Sequence, residues 1–249
     1  MTKTTKKTRF AAILLTLAMM IGLFSMVGVT SAGAATDKVS LYSSSVTFSR
    51  VGTNSYEVFI QTRDSARDQQ VYVHYYYTDI IGWCDAKAEY FTTLSDGSKI
   101  WRAEFTSTKT KYAIKFVADG REYWDNNNGK DYNGSETIGV APIAPQRNPS
   151  GFYNTFYFHI QAVLQNYAYH KEVFVRYTRD NWQTYKDQPL GYNNTRDDGT
   201  ELWYTVLTVN YNESFGEGFE YAICYRVNGK EYWANNFGAN YDASFSVRH

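Results

Sequence analysis

KYAIKFVADGREYWDNN, Lys111 to Asn127, and EYAICYRVNGKEYWANN, Glu220 to Asn236, are the two stretches whose reading decides the fold. In the first, Tyr112, Ile114 and Phe116 alternate with Ala113 and Lys115, the period of a half-buried strand. Asp119-Gly120 and Asn228-Gly229 then punctuate the two stretches with residues that accept φ > 0, so each reads as a strand, a tight turn and a second short strand ending on Tyr-Trp. Beyond the tryptophan both copies continue as Asn-Asn-x-Gly-x-Asx-Tyr, up to Tyr132 and Tyr241, a surface loop by its turn chemistry. An exposed indole beside side-chain amides complements a hydroxyl-rich ligand: the ring packs on the C–H face of a sugar and the amides pair with its hydroxyls. One copy alone would read as a hairpin with a tryptophan folded into the core. Two copies keeping Trp, Asn-Asn, Gly and Tyr at the same offsets point to a shared surface task.

The repeat extends outward from these hairpins. VYVHYYYTD (Val71 to Asp79) matches VFVRYTRDN (Val173 to Asn181), and LSDGSKIW (Leu94 to Trp101) matches RDDGTELW (Arg196 to Trp203), both 102 residues apart. The hairpins themselves lie 109 residues apart, which places seven extra residues and a longer hairpin between Trp203 and Tyr221. Val71, Val73 and Tyr75 oppose Tyr72 and His74 on their strand, and Val173, Val175 and Tyr177 repeat this against Phe174 and Arg176. No window after the first segment shows a helical period. Short β-rich runs with turn signals about every ten residues predict an all-β chain of two tandem sandwich domains, 35–138 and 152–249. Between them, 139–151 holds three of the four prolines and reads as an extended spacer of up to about 40 Å.

Residues 1–34 read as a secretory signal, with Lys3, Lys6, Lys7 and Arg9 at its head, an apolar run, and a small-residue cleavage site at Ala32-Gly33-Ala34. The expected product is secreted, extracellular and free of the membrane. Removal of the signal leaves 21 basic against 25 acidic residues, a net charge of −4, which argues against nucleic acid as partner. Cys84, placed in a loop, and Cys224, placed on a strand, occupy non-equivalent positions and read as independent thiols; the alternative that an exported chain permits is a disulfide linking the two domains. No two histidines stand at metal-ligand spacing, so neither metal nor cofactor is expected. Catalytic elbows and phosphate loops are missing from the sequence, and Asp96-Gly97 and Asp198-Gly199 read as turns rather than acid pairs, so an enzyme is not expected. Trp101 and Trp203 open strands and read as core, whereas Trp83 and Trp182, three residues apart in the gapless register, read as loop residues.

The duplicated Tyr-Trp-x-Asn-Asn-x-Gly-x-Asx-Tyr string, with V-x-V-R-Y-T-x-D-x-W upstream of it in the second copy, resembles carbohydrate-binding module family 21. These are the starch-binding domains of some fungal glucoamylases and of glycogen-targeting phosphatase subunits. The resemblance implies two tandem immunoglobulin-like β-sandwich domains that bind α-glucan polysaccharide (starch, glycogen, maltooligosaccharides). Its main site maps onto Trp182, Trp233, Asn235 and Asn240 in the second copy and onto Trp83, Trp124, Asn126 and Asp131 in the first. A further aromatic of that site falls on Ala113 and Ala222, so that platform is either missing or supplied by the neighbouring Tyr112 and Tyr221. The second site maps onto Tyr169 and Tyr192, with Asn166, Lys171 and Glu201 as polar companions; in the first copy Arg67 replaces one aromatic and Tyr90 remains. The phosphatase subunits carry a basic-Val-x-aromatic docking string that residues 35–249 lack, so an extracellular amylase is the enzyme partner this reading admits. The rival reading is an extracellular immunoglobulin-like adhesive or structural protein whose aromatics bind another protein.

Overall fold

In a computed structural model, the described residues are 38–47, 49, 52–133, 138–146, 157–208 and 218–242. The signal expected at 1–34 and the longer hairpin tip expected between Trp203 and Tyr221 (209–217 here) lie outside them.

The first half contains β1 (Val39–Thr47), β2 (Asn54–Thr62), β3 (Gln69–Thr78), β4 (Gly82–Thr93), β5 (Lys99–Ser107), β6 (Lys111–Ala118), β7 (Arg121–Asp125) and β8 (Tyr132–Asn133). They pair in the order β1-β2-β5-β4-β3-β6-β7, with β8 beside β6. β4 is the hinge of this arrangement: its first residues pair with β3 and its last, from Glu89, with β5. The two layers it joins close on one core, where Leu41, Val58 and Ile60 meet Val73, Ile114 and Phe116. These are the inward members of the alternating runs, and their burial from water holds the layers together.

The second half contains β9 (Ile143–Gln146), β10 (Tyr157–Leu164), β11 (Lys171–Thr178), β12 (Lys186–Pro189), β13 (Gly191–Thr195), β14 (Glu201–Thr208), β15 (Glu220–Val227), β16 (Lys230–Ala234) and β17 (Tyr241–Asp242). One sheet runs β13-β14-β10-β9 and the other β12-β11-β15-β16, with β17 beside β15. This is the pairing order of the first half, with β12 and β13 standing where β4 stands. The break falls at Leu190, which is buried among Val173, Val175 and Ile223 in the second core. Among the described residues the chain is all-β; one turn of 3-10 helix, Asn236–Gly238, interrupts it.

The hairpin turns form as their sequences require. Asp119 and Gly120 adopt φ of 47° and 79°, and Asn228 and Gly229 adopt 52° and 72°, the left-handed pair that matches the twist of the flanking strands.

The spacer reading of 139–151 does not hold for its described part. Gly139 and Ala141 donate to the Tyr42 carbonyl and Val140 to that of Leu41, stitching this segment to β1. Ile143–Gln146 then pairs with β10 as strand β9, so the second half begins before residue 152; 147–151 lie outside the described residues. Pro145 is admissible there because β9 is an edge strand that needs no donor on its outer side. Apolar burial drives the docking: Ile138, Ala141 and Val163 form a small core of their own with Tyr42, Ala144 and Leu202.

Both cysteines are free thiols, but Cys84 lies on β4 opposite Tyr75 rather than in a loop, and Cys224 is fully buried on β15. Burial pushes the Cys224 thiol up to about 12.

Candidate functional site

The outward residues of the β4-β3-β6-β7 layer form an aromatic face. Alternation turns His74 away from the core beneath Val73, and antiparallel register sets it opposite Asp85 on β4 and Ala113 on β6. The Trp83 ring lies parallel to the His74 imidazole, 4.7 Å between centroids and 2° between planes, while Trp124 from β7 meets it edge-on at 5.6 Å. His74 Nδ1 bonds the Asp85 carboxylate, which also accepts from Lys115 Nζ at 2.9 Å. Burial pushes the Asp85 carboxyl up, but the bonds from Lys115 and His74 outweigh it and hold the group below its ordinary range. The same bond to Asp85 holds the Lys115 amine above its ordinary range. Trp83 and Trp124 stay 39% and 36% exposed, enough to offer a ring face to solvent. Trp83 is thus a strand residue of β4, not the loop residue expected from sequence, because the β3–β4 hairpin turns at Asp79 to Ile81.

The second half builds a comparable face from different residues. Arg176 takes the place of His74 and is clamped by Asp187 through two bonds of 2.7 Å, which hold its guanidinium charged. The guanidinium sits 4.3 Å from the Tyr185 ring and 5.4 Å from that of Trp233, and Trp233 meets Phe174 edge-on at 5.7 Å. Tyr185 stands 102 residues after Trp83, so it, and not Trp182, is the counterpart of Trp83 on this face. The sequence reading missed Tyr185, His74 and Arg176; the constant offset of the repeat was the signal for the first.

Trp182 lies in the turn between β11 and β12 with φ of 64°, and its Nε1 donates to Glu220. Asn240 Nδ2 donates to the same Glu220 oxygen at 3.0 Å. In the first half, Lys111 occupies the place of Glu220; it pairs with Asp131 at 3.1 Å and lies 5.3 Å from the Trp83 ring. Trp83 and Trp182 therefore reach the same neighbourhood from different sequence positions. Ala113 and Ala222 stand opposite His74 and Arg176 in the strand register, and both are buried. Tyr112 and Tyr221 are core residues, 1% and 2% exposed, and cannot supply the aromatic missing there.

The two Asn-rich loops share one pattern of internal bonds. Asn126 and Asn235 accept from the N–H of Gly129 and Gly238, Asn127 and Asn236 donate to the carbonyls of Asp131 and Asn240, and backbone bonds close each loop. Each amide oxygen at the first position is thus already an acceptor within its loop.

At the second mapped site, Tyr90 and Tyr192 repeat one another: each bonds a threonine three residues on and meets the following strand's Trp101 or Trp203 edge-on at 6.0 Å. Trp101 and Trp203 are half-buried and pack against the two cores as expected. Trp203 Nε1 donates to Glu201, whose carboxylate pairs with Lys171 at 2.8 Å, and Lys171 also bonds Asn166. Lys171 and Glu201 are nearly buried and engaged with each other, which makes them a scaffold beneath the site. Tyr169 is 91% exposed and meets His170 edge-on, with Arg67 at its place in the first half.

Fold and site together define an all-β protein with exposed aromatic faces backed by paired charges. Residues 149–244 match the family model described as Carbohydrate/starch-binding module (family 21), and this match with the relatives supports one such domain there. Glycogen-binding subunit 76A of Drosophila melanogaster is 32% identical over 78 residues, 31% of this chain and 12% of that protein. Protein phosphatase 1 regulatory subunit 3B of Bos taurus is 35% identical over 80 residues, 31% of this chain and 28% of that protein. The chain therefore spans less than a third of these relatives. The solved starch binding domain of Rhizopus oryzae glucoamylase, in complex with beta-cyclodextrin and maltoheptaose, is 19% identical over 45% of this chain and 99% of that one, with a TM-score of 0.33. Among the described residues, no group of three or more His, Cys, Asp and Glu side chains could hold a metal ion, and no helix is long and apolar enough to cross a membrane.

Proposed function

We propose that this protein is an exported, non-catalytic α-glucan-binding protein made of two copies of the family 21 module, each an immunoglobulin-like sandwich. The observation that carries the reading is the family match over 149–244 falling on the half where Tyr185, Arg176 and Trp233 form an exposed face beside an amide-bearing loop. For the first half the support is its strand order, its matching turns and its Trp83–His74–Trp124 face. Sugar rings stack on the aromatic faces and the loop amides pair with their hydroxyls. Starch and glycogen are the ligands, in line with the names of the matched module and relatives. Two stacking contacts and a few hydrogen bonds, less the cost of immobilising a flexible glucan, place a single site at about tens of micromolar to millimolar.

Retention of the secreted protein on granular starch, with cellulose as control, tests the reading, and equal retention on both would overturn it. Export directs the search for an enzyme partner to an extracellular amylase, whereas the relatives' names point to a phosphatase. Co-precipitation with each catalytic subunit separates them. The adhesive reading draws on Ile80 and Ile81, 97% and 59% exposed at the β3–β4 tip, a surface suited to another protein. It predicts no starch retention.

A further inference from the structure

Phe237 sits in the middle of the second half's Asn-rich loop at φ 54°, ψ 33°, a left-handed conformation that an aromatic residue adopts at a cost. The first half has Asn128 at the equivalent place, φ 58°, a residue that tolerates this region readily. Nothing in the local sequence explains why phenylalanine should be held there. The explanation lies across the molecule: the Phe237 ring packs against Phe59 at 5.0 Å, Phe91 at 5.2 Å and Tyr42 at 5.7 Å, three rings from β2, β4 and β1 of the first half. The loop that makes this contact is also the loop that carries Asn235 and Asn240. Asn240 reaches Glu220, which in turn holds the Trp182 indole.

From this geometry we infer that the first half holds the second half's ligand loop in its binding conformation. Phe237 is a positioning residue, and ligand affinity at the second half is coupled to the contact between halves. The inference rests on the glucan reading for its ligand but not for its mechanics. A ring wedged between three others fixes the backbone at Phe237, and with it the spacing of Asn235 and Asn240 on either side. Without the wedge, a left-handed phenylalanine would relax and carry both amides with it.

The test is made on the full chain and begins with Phe91→Ser, a change in the first half that touches none of the loop's own bonds. Hydrogen exchange should quicken about tenfold or more at the amides of Gly238, Ala239 and Asn240, which close the loop, while β3 and β11 amides keep their protection. Maltoheptaose binding, followed at the Trp182 and Trp233 indole signals, should weaken about 5-fold or more. Phe237→Ala removes the ring and leaves a residue that this left-handed backbone does not suit. It should weaken binding to the same degree, and the double variant should be no worse than Phe237→Ala alone. Unchanged loop exchange in Phe91→Ser, or parental binding by Phe237→Ala, would overturn the inference. If the parent binds no maltoheptaose, the glucan reading fails by itself, and the exchange result alone decides whether the first half orders the loop.

Discussion

Arg176 and His74 show how one residue position organises a face in each half. Both are pinned by an aspartate on the next strand, so each presents its flat group at a fixed height between two rings. In the second half, Tyr185 is 58% exposed and outside both cores, so Tyr185→Ala should leave the fold intact and weaken glucan binding about 5- to 10-fold, the value of one stacking contact. Titration of the variant against parent, followed at the Trp233 indole, checks this; Trp233→Ala should give a loss of similar size. A pH effect belongs to Asp180, in the turn before Trp182. Its carboxylate accepts from the Thr184 N–H at 2.9 Å, the Thr184 hydroxyl at 2.7 Å and the Thr178 hydroxyl at 2.8 Å, and these bonds hold its pKa at about 2 against an ordinary 3.8. The folded state thus favours the ionised form: its contribution is complete above about pH 4 and is lost as pH falls through about 2. The Thr184 backbone N–H signal, which reports the bond to Asp180, should hold steady from pH 7 to about 4 and shift below that. Asp180→Asn should abolish the shift.

At the scale of elements, the two hairpins illustrate a cost that is purely conformational. A Cβ built on Gly229 meets nothing within 4 Å, so Gly229→Ala should destabilise only through its φ of 72°, by about 1 kcal/mol. Urea denaturation measures it, and a loss beyond about 2 kcal/mol would mean that the turn is packed as well as twisted. The short β7 has a different anchor. Asp125, 1% exposed, accepts from the Leu41 N–H and the Tyr132 hydroxyl at 2.7 Å each, tying β1, β7 and β8 into one unit beside the first Asn-rich loop. The second half has Ala234 here and turns instead to Phe237 and the first half for support.

At the scale of the whole molecule, the connection between halves is a docked seam rather than a tether. Gly139 leaves no room for a side chain there: an added Cβ would lie 1.9 Å from the Leu41 carbonyl oxygen, a backbone atom that cannot swing aside. Gly139→Ala should therefore cost about 1–3 kcal/mol and loosen the seam. NMR relaxation should give one correlation time for both halves in the parent and two in the variant. A single time in both would show that other contacts suffice. Because the halves are docked, any gain from tandem binding depends on whether both faces meet one glucan in a fixed arrangement, not on the reach of a flexible spacer.

Strand alternation and the Asp-Gly and Asn-Gly turns were legible in the sequence, because each is a local property of neighbouring residues and their period. The exposed tryptophans at 124 and 233 and the shape of the Asn-rich loops were legible for the same reason. Only the tertiary structure set Tyr185 against Arg176, moved Trp83 from a loop onto β4, turned 143–146 into an edge strand and buried Tyr112 and Tyr221 beneath the site. It alone joined Phe237 to Phe59 and Phe91, nearly 150 residues or more away in the chain. Such contacts are made by cross-strand register and by apolar surface seeking cover, and both are fixed by what lies opposite in space rather than by what lies next in sequence.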